Sequence, residues 1–259
     1  MKHLSLTSIV SQDNPIIRAT SALSEAHGRK KQGLFLVEGK RACETFLATK
    51  KFELVHLFIM HEHEVWGKAL DVDDQLILVS LPVMNKISTA ATPPGIVAVF
   101  KIPNKVTPPE TPRSGIVLAQ VSDPGNMGTL IRSAASFNQA IFVVEGVDIW
   151  SPKTIQASAG TVALAQIYQT KWEDVVAYAE KTGVTLTALV VADGTSLEQL
   201  PQKPRLLVVG NEAHGLPDAW INNCNEKVTL AMPGGTESLN AAVAGSIALY
   251  LISKELFTK

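Results

Sequence analysis

A chain of 259 residues predicts about two domains at roughly 150 residues each. Its composition, 46% hydrophobic and 18% charged with a mean hydropathy of +0.16, is that of a packed soluble protein and excludes disordered, collagen-like and low-complexity chains. Lys and Arg total 23 against 24 Asp and Glu, a net charge of -1, which over the whole chain argues against a non-specific nucleic-acid binder.

The opening MKHLSLTSIVSQDN lacks the apolar core of a signal peptide, and Asp13 and Glu25 come too early for an amphipathic targeting segment. No stretch of about 20 apolar residues offers a membrane span. Cys43 and Cys224 stand far apart, outside any Cys-x-x-Cys or Cys/His cluster, so neither a disulfide framework nor structural zinc is expected. The expectation is a cytoplasmic protein with no membrane partner and no metal.

Asn14-Pro15 opens a helix-like stretch to about Lys31, followed by a short strand at Phe35-Leu36-Val37 and a helix from about Lys40 to Thr49. Further strand-like runs lie at Val55–Met60, Gln75–Ser80 and Ile96–Phe100. This alternation predicts a compact α/β sandwich over residues 1–101. The first 51 residues hold 9 basic and 4 acidic side chains, so the neutral total hides a positive beginning centred on Arg18, Arg29, Lys30, Lys31, Lys40 and Arg41. Such a cluster is either a solvated helix face or a phosphate-contacting surface.

Residues 102–114, within IPNKVTPPETPRSG, hold four prolines and no apolar periodicity, the signature of an extended linker. From 115 to 259 apolar runs at Ile116–Val121, Ile141–Val144, Val162–Tyr168, Thr185–Val191, Leu206–Val209 and Val228–Leu230 alternate with helical patterns. These patterns cover Gly128–Phe137, Lys153–Ser158, Trp172–Lys181 and about Leu239–Leu256. Strands without polar alternation between helices predict a parallel sheet covered on both faces, whose ligands bind beyond the strands' carboxyl ends.

Three loops at those ends carry polar residues. Ser122-Asp123-Pro124-Gly125-Asn126-Met127-Gly128 reads as a turn into a helix N-terminus where free amides favour an anion, with Arg132 about one turn into the helix and in reach of the same anion; an ordinary strand, turn and helix with an exposed arginine is the alternative. Gly210-Asn211-Glu212-Ala213-His214-Gly215-Leu216-Pro217 lacks the Lys-Ser/Thr of a phosphate-binding P-loop. Glu212 there is a candidate proton acceptor or anchor, or a helix-capping feature before Pro217, and His214 reads as a surface residue. Met232-Pro233-Gly234-Gly235-Thr236-Glu237-Ser238-Leu239-Asn240 precedes an uncharged helix whose Ala241, Ala242, Ala244, Gly245 and Ser246 permit close backbone approach. No Gly-x-Gly-x-x-Gly dinucleotide fingerprint occurs.

In order and content these loops resemble the three motifs of the SpoU/TrmH branch of the SPOUT RNA methyltransferases: Asn126-x-Gly128-x3-Arg132-x-Ala134, Val209-Gly210-Asn211-Glu212-x-x-Gly215-Leu216, and Met232-Pro233-Gly234-Gly235-x-Glu237-Ser238-Leu239-Asn240. Ser158-Ala159-Gly160 is similar to a Ser-x-Gly segment between them. Ser8, Asn14-Pro15, Arg29-Lys30, Phe35-Leu36-Val37-Glu38-Gly39 and Arg41 resemble the family's RNA-binding domain related to ribosomal proteins. Two departures are Ala231, where a proline is usual, and Gln156, where a basic residue is common.

The resemblance implies a C-terminal parallel sheet with a trefoil knot, a rarity that no periodicity would suggest, and S-adenosyl-L-methionine as cofactor, held by Val209, Gly210, Gly215, Leu230, Met232, Ser238 and Leu239. It implies transfer of a methyl group to a ribose 2′-hydroxyl, ribosomal RNA being the expected substrate, by a homodimer joined through the C-terminal domain. Arg132, Asn126, Glu212, Ser238 and Asn240 would form the catalytic set. The resemblance implies Arg132 as the base once an RNA phosphate engages it, whereas a guanidinium that stays protonated would instead fix phosphate and stabilise the developing alkoxide; the others would orient Arg132 and the ribose. Transfer RNA as substrate, base-nitrogen methylation and a catalytically inactive RNA- or ribosome-binding protein are the alternatives.

Overall fold

The computed structural model describes residues 7–253 apart from 73 and 202. The chain divides into two compact units, one formed by the chain up to Pro103 with Asp148–Leu164, the other by Asn104–Val147 and the chain from Ala165 onward.

In the first unit come β1 (Thr7–Ile9), α1 (Pro15–Ser21), α2 (Ala26–Gln32), β2 (Leu34–Glu38), α3 (Lys40–Thr49), β3 (Leu54–Ile59), α4 (Glu64–Lys68), β4 (Leu76–Val79), α5 (Leu81–Ile87) and β5 (Ile96–Lys101). Its sheet runs β1-β4-β3-β5-β2, with β1, β4 and β3 parallel and β5 antiparallel to both neighbours. Phe35, Leu36 and Val37 of β2 are all buried, so both sheet faces are covered there. Gly33 ends α2 in the left-handed conformation at φ 66°, as helix C-termini commonly require of glycine. The single helix expected up to Lys31 is instead two helices. Glu25 is extended between them, and α2 packs so tightly back on the Ala22–Ser24 turn that a Cβ on Gly28 would collide with the Ala22 carbonyl. The short β1, α4 and α5 carry too little pattern to be expected from sequence.

The second unit starts at β6 (Gly115–Ala119), α6 (Pro124–Ser136) and β7 (Ala140–Val144). After α7 (Pro152–Ala157), which belongs to the first unit, it continues with β8 (Gln166–Thr170), α8 (Trp172–Thr182), β9 (Thr185–Leu189), β10 (Thr195–Ser196), β11 (Arg205–Val209), α9 (Asp218–Asn223), β12 (Glu226–Thr229) and α10 (Ala241–Ser253). The order β10-β12-β9-β11-β6-β7-β8 is parallel throughout, and β6, β7 and β11 are buried at every position. The apolar run Val162–Tyr168 is not one strand: Thr161–Ala163 forms a 3-10 turn before β8. The end of the last expected helix, 254–256, lies outside the described residues. Residues 102–114 form no helix or strand. The Thr111 carbonyl accepts from the Tyr178 hydroxyl, which in turn accepts from the Arg113 N–H.

Asp148–Leu164, expected with the C-terminal domain, packs in the first unit. Arg29 Nε donates to Asp148 Oδ2 at 2.8 Å, and the Trp150 ring sits 4.7 Å from that of Phe35, within a group of rings that includes Phe46, Phe52 and Phe100.

In the second unit the small-residue helix α10 lies against α6 and β11. A Cβ on Gly245 would come 2.6 Å from Leu130 Cδ2 and 3.2 Å from Val209 Cγ2, while Ser133 and Ser246 hydroxyls share a 2.7 Å hydrogen bond across the helices. Overpacking of this kind costs about 1–3 kcal/mol, so Gly245→Ala should lower the unfolding free energy by that much, read as a fall in the urea midpoint at unchanged slope, and Gly245→Leu by more; unchanged midpoints would show that the contact is slack. Among the described residues no helix is long and apolar enough to cross a membrane.

Candidate functional site

The three loops meet because β12, β9, β11 and β6 are successive neighbours in one parallel sheet, which brings their carboxyl ends together. The Glu212 carboxylate is the centre of the junction. Its Oε2 accepts from the Ser122 N–H (3.0 Å) and hydroxyl (2.7 Å), and its Oε1 from the Asp123 N–H (3.1 Å) and Asn126 Nδ2 (3.0 Å). Partial burial pushes its carboxyl up, but the hydrogen bonds from Asn126 and Ser122 outweigh this and hold it at about 2, as expected of a carboxylate accepting several N–H bonds.

Asn126 continues the chain of contacts. Its Oδ1 accepts from Asn240 Nδ2 at 3.0 Å, and Asn240 Oδ1 accepts from the Ala242 and Val243 N–H groups at the start of α10. One hydrogen-bonded line therefore ties the loop after β11 to the starts of α6 and α10. The anion expected from outside at the N-terminus of α6 is supplied by the protein itself: Asp123 Oδ1 accepts from the Asn126 N–H, and Glu212 takes the two amides before it.

Beside this line lies a cavity of about 410 Å³. Val209, Gly210, Gly215, Leu230, Met232, Ser238 and Leu239 all line it, gathered from the ends of β11 and β12 and the approach to α10. Leu189, Val190 and Val191 at the end of β9 form a wall that sequence reasoning missed, because nothing in the chain shows β9 to be the neighbour of β11. Asn211 was also missed. Its Nδ2 donates to the Gln120 carbonyl and the Ser122 hydroxyl, its Oδ1 accepts from the Ala213 and His214 N–H groups, and its backbone pairs with Gly215; the Gly-Asn-Glu turn was its only sequence signal. His214 lines the cavity too, although its exposed position also agrees with a surface residue. Val191, 68% exposed, and Leu239, 38% exposed, present apolar surface beside main-chain amides and carbonyls of 209–215. That mixture suits a ligand with a flat apolar ring and a polar edge.

The remaining expected residues are not all drawn together. Ser238 is in the cavity and outside the Glu212 line. Arg132 is eight residues beyond the first residue of α6, about 12 Å along the axis, because the helix begins at Pro124 and not Gly128. It is therefore two turns from the helix N-terminus, not about one as expected; its side chain is exposed and has no hydrogen bond or ion pair among the described residues. In the first unit Arg18, Lys30, Lys31, Lys40 and Arg41 are exposed. Arg29 is not an RNA-facing group: it is 4% exposed, and besides Asp148 its Nη1 donates to the carbonyls of Leu23 and Ser24, an arrangement that satisfies a buried charge.

A model described as the SpoU rRNA Methylase family matches residues 114–250. The chain belongs to the SpoU rRNA methylase family. A second model, the MRM3-like substrate binding domain, matches residues 14–98. Among SpoU-type relatives, an uncharacterized tRNA/rRNA methyltransferase of Synechocystis is 31% identical over 95% of this chain and 93% of its own length. The Bacillus subtilis 23S rRNA (guanosine-2′-O)-methyltransferase RlmP is 26% identical over 93% of this chain and 97% of its own. The solved structure of an AdoMet-bound rRNA methyltransferase from Sinorhizobium meliloti superposes with a TM-score of 0.86 at 26% identity, covering 97% of this chain and 98% of that one. The SpoU match spans all three loops described above.

Proposed function

We propose that the chain is an S-adenosylmethionine-dependent RNA methyltransferase that modifies a ribose 2′-hydroxyl, with ribosomal RNA as its substrate. The observation that carries this reading is the cavity that collects residues of the second and third SpoU loops beside a carboxylate-anchored first loop. The names of the Bacillus and Sinorhizobium proteins support both the chemistry and the cofactor.

Bound S-adenosylmethionine supplies a methyl group on a sulfonium centre. The chain's own contribution is positioning, since in-line displacement depends on near-attack geometry and needs no metal. Main-chain groups around Gly210, Leu230 and Leu239 hold the nucleoside part, with Val209, Gly215, Met232 and Ser238 completing the walls. Asn126, Glu212 and Asn240 fix the loops in register. Arg132 is available to an RNA phosphate, and because a guanidinium stays protonated its role is to fix that phosphate and stabilise the developing alkoxide, while the hydroxyl proton passes to solvent water as the O–CH3 bond forms and the S–CH3 bond breaks.

Residues 1–101, with Asp148–Leu164 packed in the same unit, serve as an RNA-binding domain related to ribosomal proteins, 102–114 as linker and the rest of 115–259 as the catalytic part, folded with a trefoil knot. The glycine-dependent packing of α10 on α6 and β11 is in keeping with the close crossing that a knot requires. Exposed Arg18, Lys30, Lys31, Lys40 and Arg41 supply phosphate contacts. The working form is a cytoplasmic homodimer joined through the C-terminal domain. Val243 and Ile247, 45% and 41% exposed one turn apart on α10, supply an apolar stripe for such a contact.

The test is transfer of labelled methyl from S-adenosylmethionine to total RNA, followed by nucleoside analysis of the product and sedimentation of the active sample. Expected are 2′-O-methylated nucleosides in ribosomal RNA, made by a dimer. Label on a base nitrogen or confined to transfer RNA, or no transfer by protein that binds the cofactor, would overturn the assignment, and an active monomer would reject the dimer.

A further inference from the structure

The first unit contains a second cavity, of about 400 Å³, which the methyl-transfer chemistry does not use. Its lining combines three kinds of surface. Leu36, Pro94 and Ile155 give an aliphatic wall. Lys40 and Arg41 stand at its rim; the Arg41 guanidinium has no ion pair or hydrogen bond among the described residues, and the Lys40 ammonium lies 5.7 Å from the centre of the Trp66 ring. Glu38 and Gln156 are polar groups within the lining. The Glu38 carboxylate accepts from the Ser88 hydroxyl and from the N–H and hydroxyl of Thr89, which fixes the loop before β5 and leaves one of its about four lone-pair sites open. The Gln156 side-chain amide has no partner among the described residues.

The wall is firmly set. Gly160, at φ 80°, lies so close to α3 that a Cβ on it would be 3.0 Å from Ala42 Cα and 3.1 Å from Ala42 Cβ. The segment carrying Ile155 and Gln156 is therefore held against the helix that bears Lys40 and Arg41.

We propose that this cavity holds one unstacked nucleotide of the substrate RNA as an anchor. An apolar wall for a ring face, an acceptor and an amide for a base edge, and the Arg41 guanidinium with the Lys40 ammonium at the rim for the phosphate together match what an unpaired nucleotide presents; an amphipathic peptide would leave the polar edge unmatched. The open Glu38 acceptor favours bases with an exocyclic amine, namely adenine, guanine and cytosine. This proposal rests on the RNA-methyltransferase reading and adds to it a place where single-stranded RNA is gripped in the first unit.

The experiment measures binding of the full chain to a fluorescein-labelled single-stranded RNA of mixed sequence and to its duplex, over a range of salt, with S-adenosylmethionine affinity determined on the same samples. The wild type should prefer the single strand. Ala90→Trp, which fills the cavity and alters no charge, should lose that preference and weaken single-strand binding about tenfold at an unchanged salt slope. Arg41→Gln should lower the salt slope by about one phosphate contact. Ala69→Trp, outside the cavity, should bind as the wild type does, and all variants should keep their cofactor affinity. Should Ala90→Trp fail to fold, Thr92→Trp at an exposed position of the same lining takes its place. Filled variants that bind and discriminate like the wild type would overturn the anchor site while leaving the methyltransferase reading intact. Failure of the wild type to bind or methylate RNA at all would instead sink that reading.

Discussion

Arg132→Lys should reduce ribose methylation by two to three orders of magnitude while leaving S-adenosylmethionine affinity unchanged. The substitution keeps a positive charge at an exposed site on α6 and disturbs no packing, because the Arg132 side chain makes no hydrogen bond or ion pair among the described residues. What it removes is the planar fork that can hold a phosphate with two parallel bonds. Losing one donor aimed at a developing oxyanion typically costs about 10²–10³ in kcat. Single-turnover methylation of ribosomal RNA, with cofactor binding measured by calorimetry, separates the two effects. Full activity in the lysine variant would reduce Arg132 to a point charge, and a parallel fall in cofactor affinity would place it at the other ligand.

Glu212→Gln should act through position. The carboxylate accepts four hydrogen bonds from Ser122, Asp123 and Asn126; an amide of the same shape replaces one acceptor oxygen by a donor, which faces N–H groups. Methylation is expected to fall about a hundredfold, the scale of a 1 Å misplacement of reacting groups, and stability by about 2 kcal/mol, comparable to hydrogen bonds on a charged group. The pH dependence has a definite sign. The folded-state value of about 2 lies below the ordinary 4.5, so the stabilisation is present in full above about pH 4.5 and is lost as pH falls toward 2. The difference in unfolding free energy between wild type and variant should accordingly be flat near neutrality and shrink in acid. A difference that grows on acidification would contradict the anchor.

Much of this was legible in the chain because it is local. The run Arg205–Val209 has no polar alternation, and it is a central parallel strand buried on both faces. The bounds of α3, Lys40–Thr49, follow from the Gly39 before it and the apolar spacing of Cys43 and Phe46. The seven cavity residues were identifiable because each belongs to, or adjoins, the second and third loop motifs, short local patterns that survive in one sequence. What sequence could not reveal is long-range. Leu189, Val190 and Val191 become a cavity wall only through the order of strands. Arg29 reads as one more surface cation until Asp148, 119 residues away, is found against it. Arg132 was misplaced relative to the N-terminus of α6 for a different reason: Pro124 at the first helical position and Asp123 as its cap start the helix four residues earlier than the glycine suggested.

The partnership of Arg29 with Asp148, and of Phe35 with Trp150, also sets an order of events at the ribosome. When the first 103 residues of the chain have emerged, β2 can pair with β5, but the buried guanidinium has no carboxylate and the ring cluster has an open side. The first unit can close its core only after a further stretch reaching to Leu164 has been made, by which time β6, α6 and β7 have already been synthesised. Folding from the N-terminus is the usual sequence for nascent domains, but here part of the second unit must be synthesised before the first can complete its core.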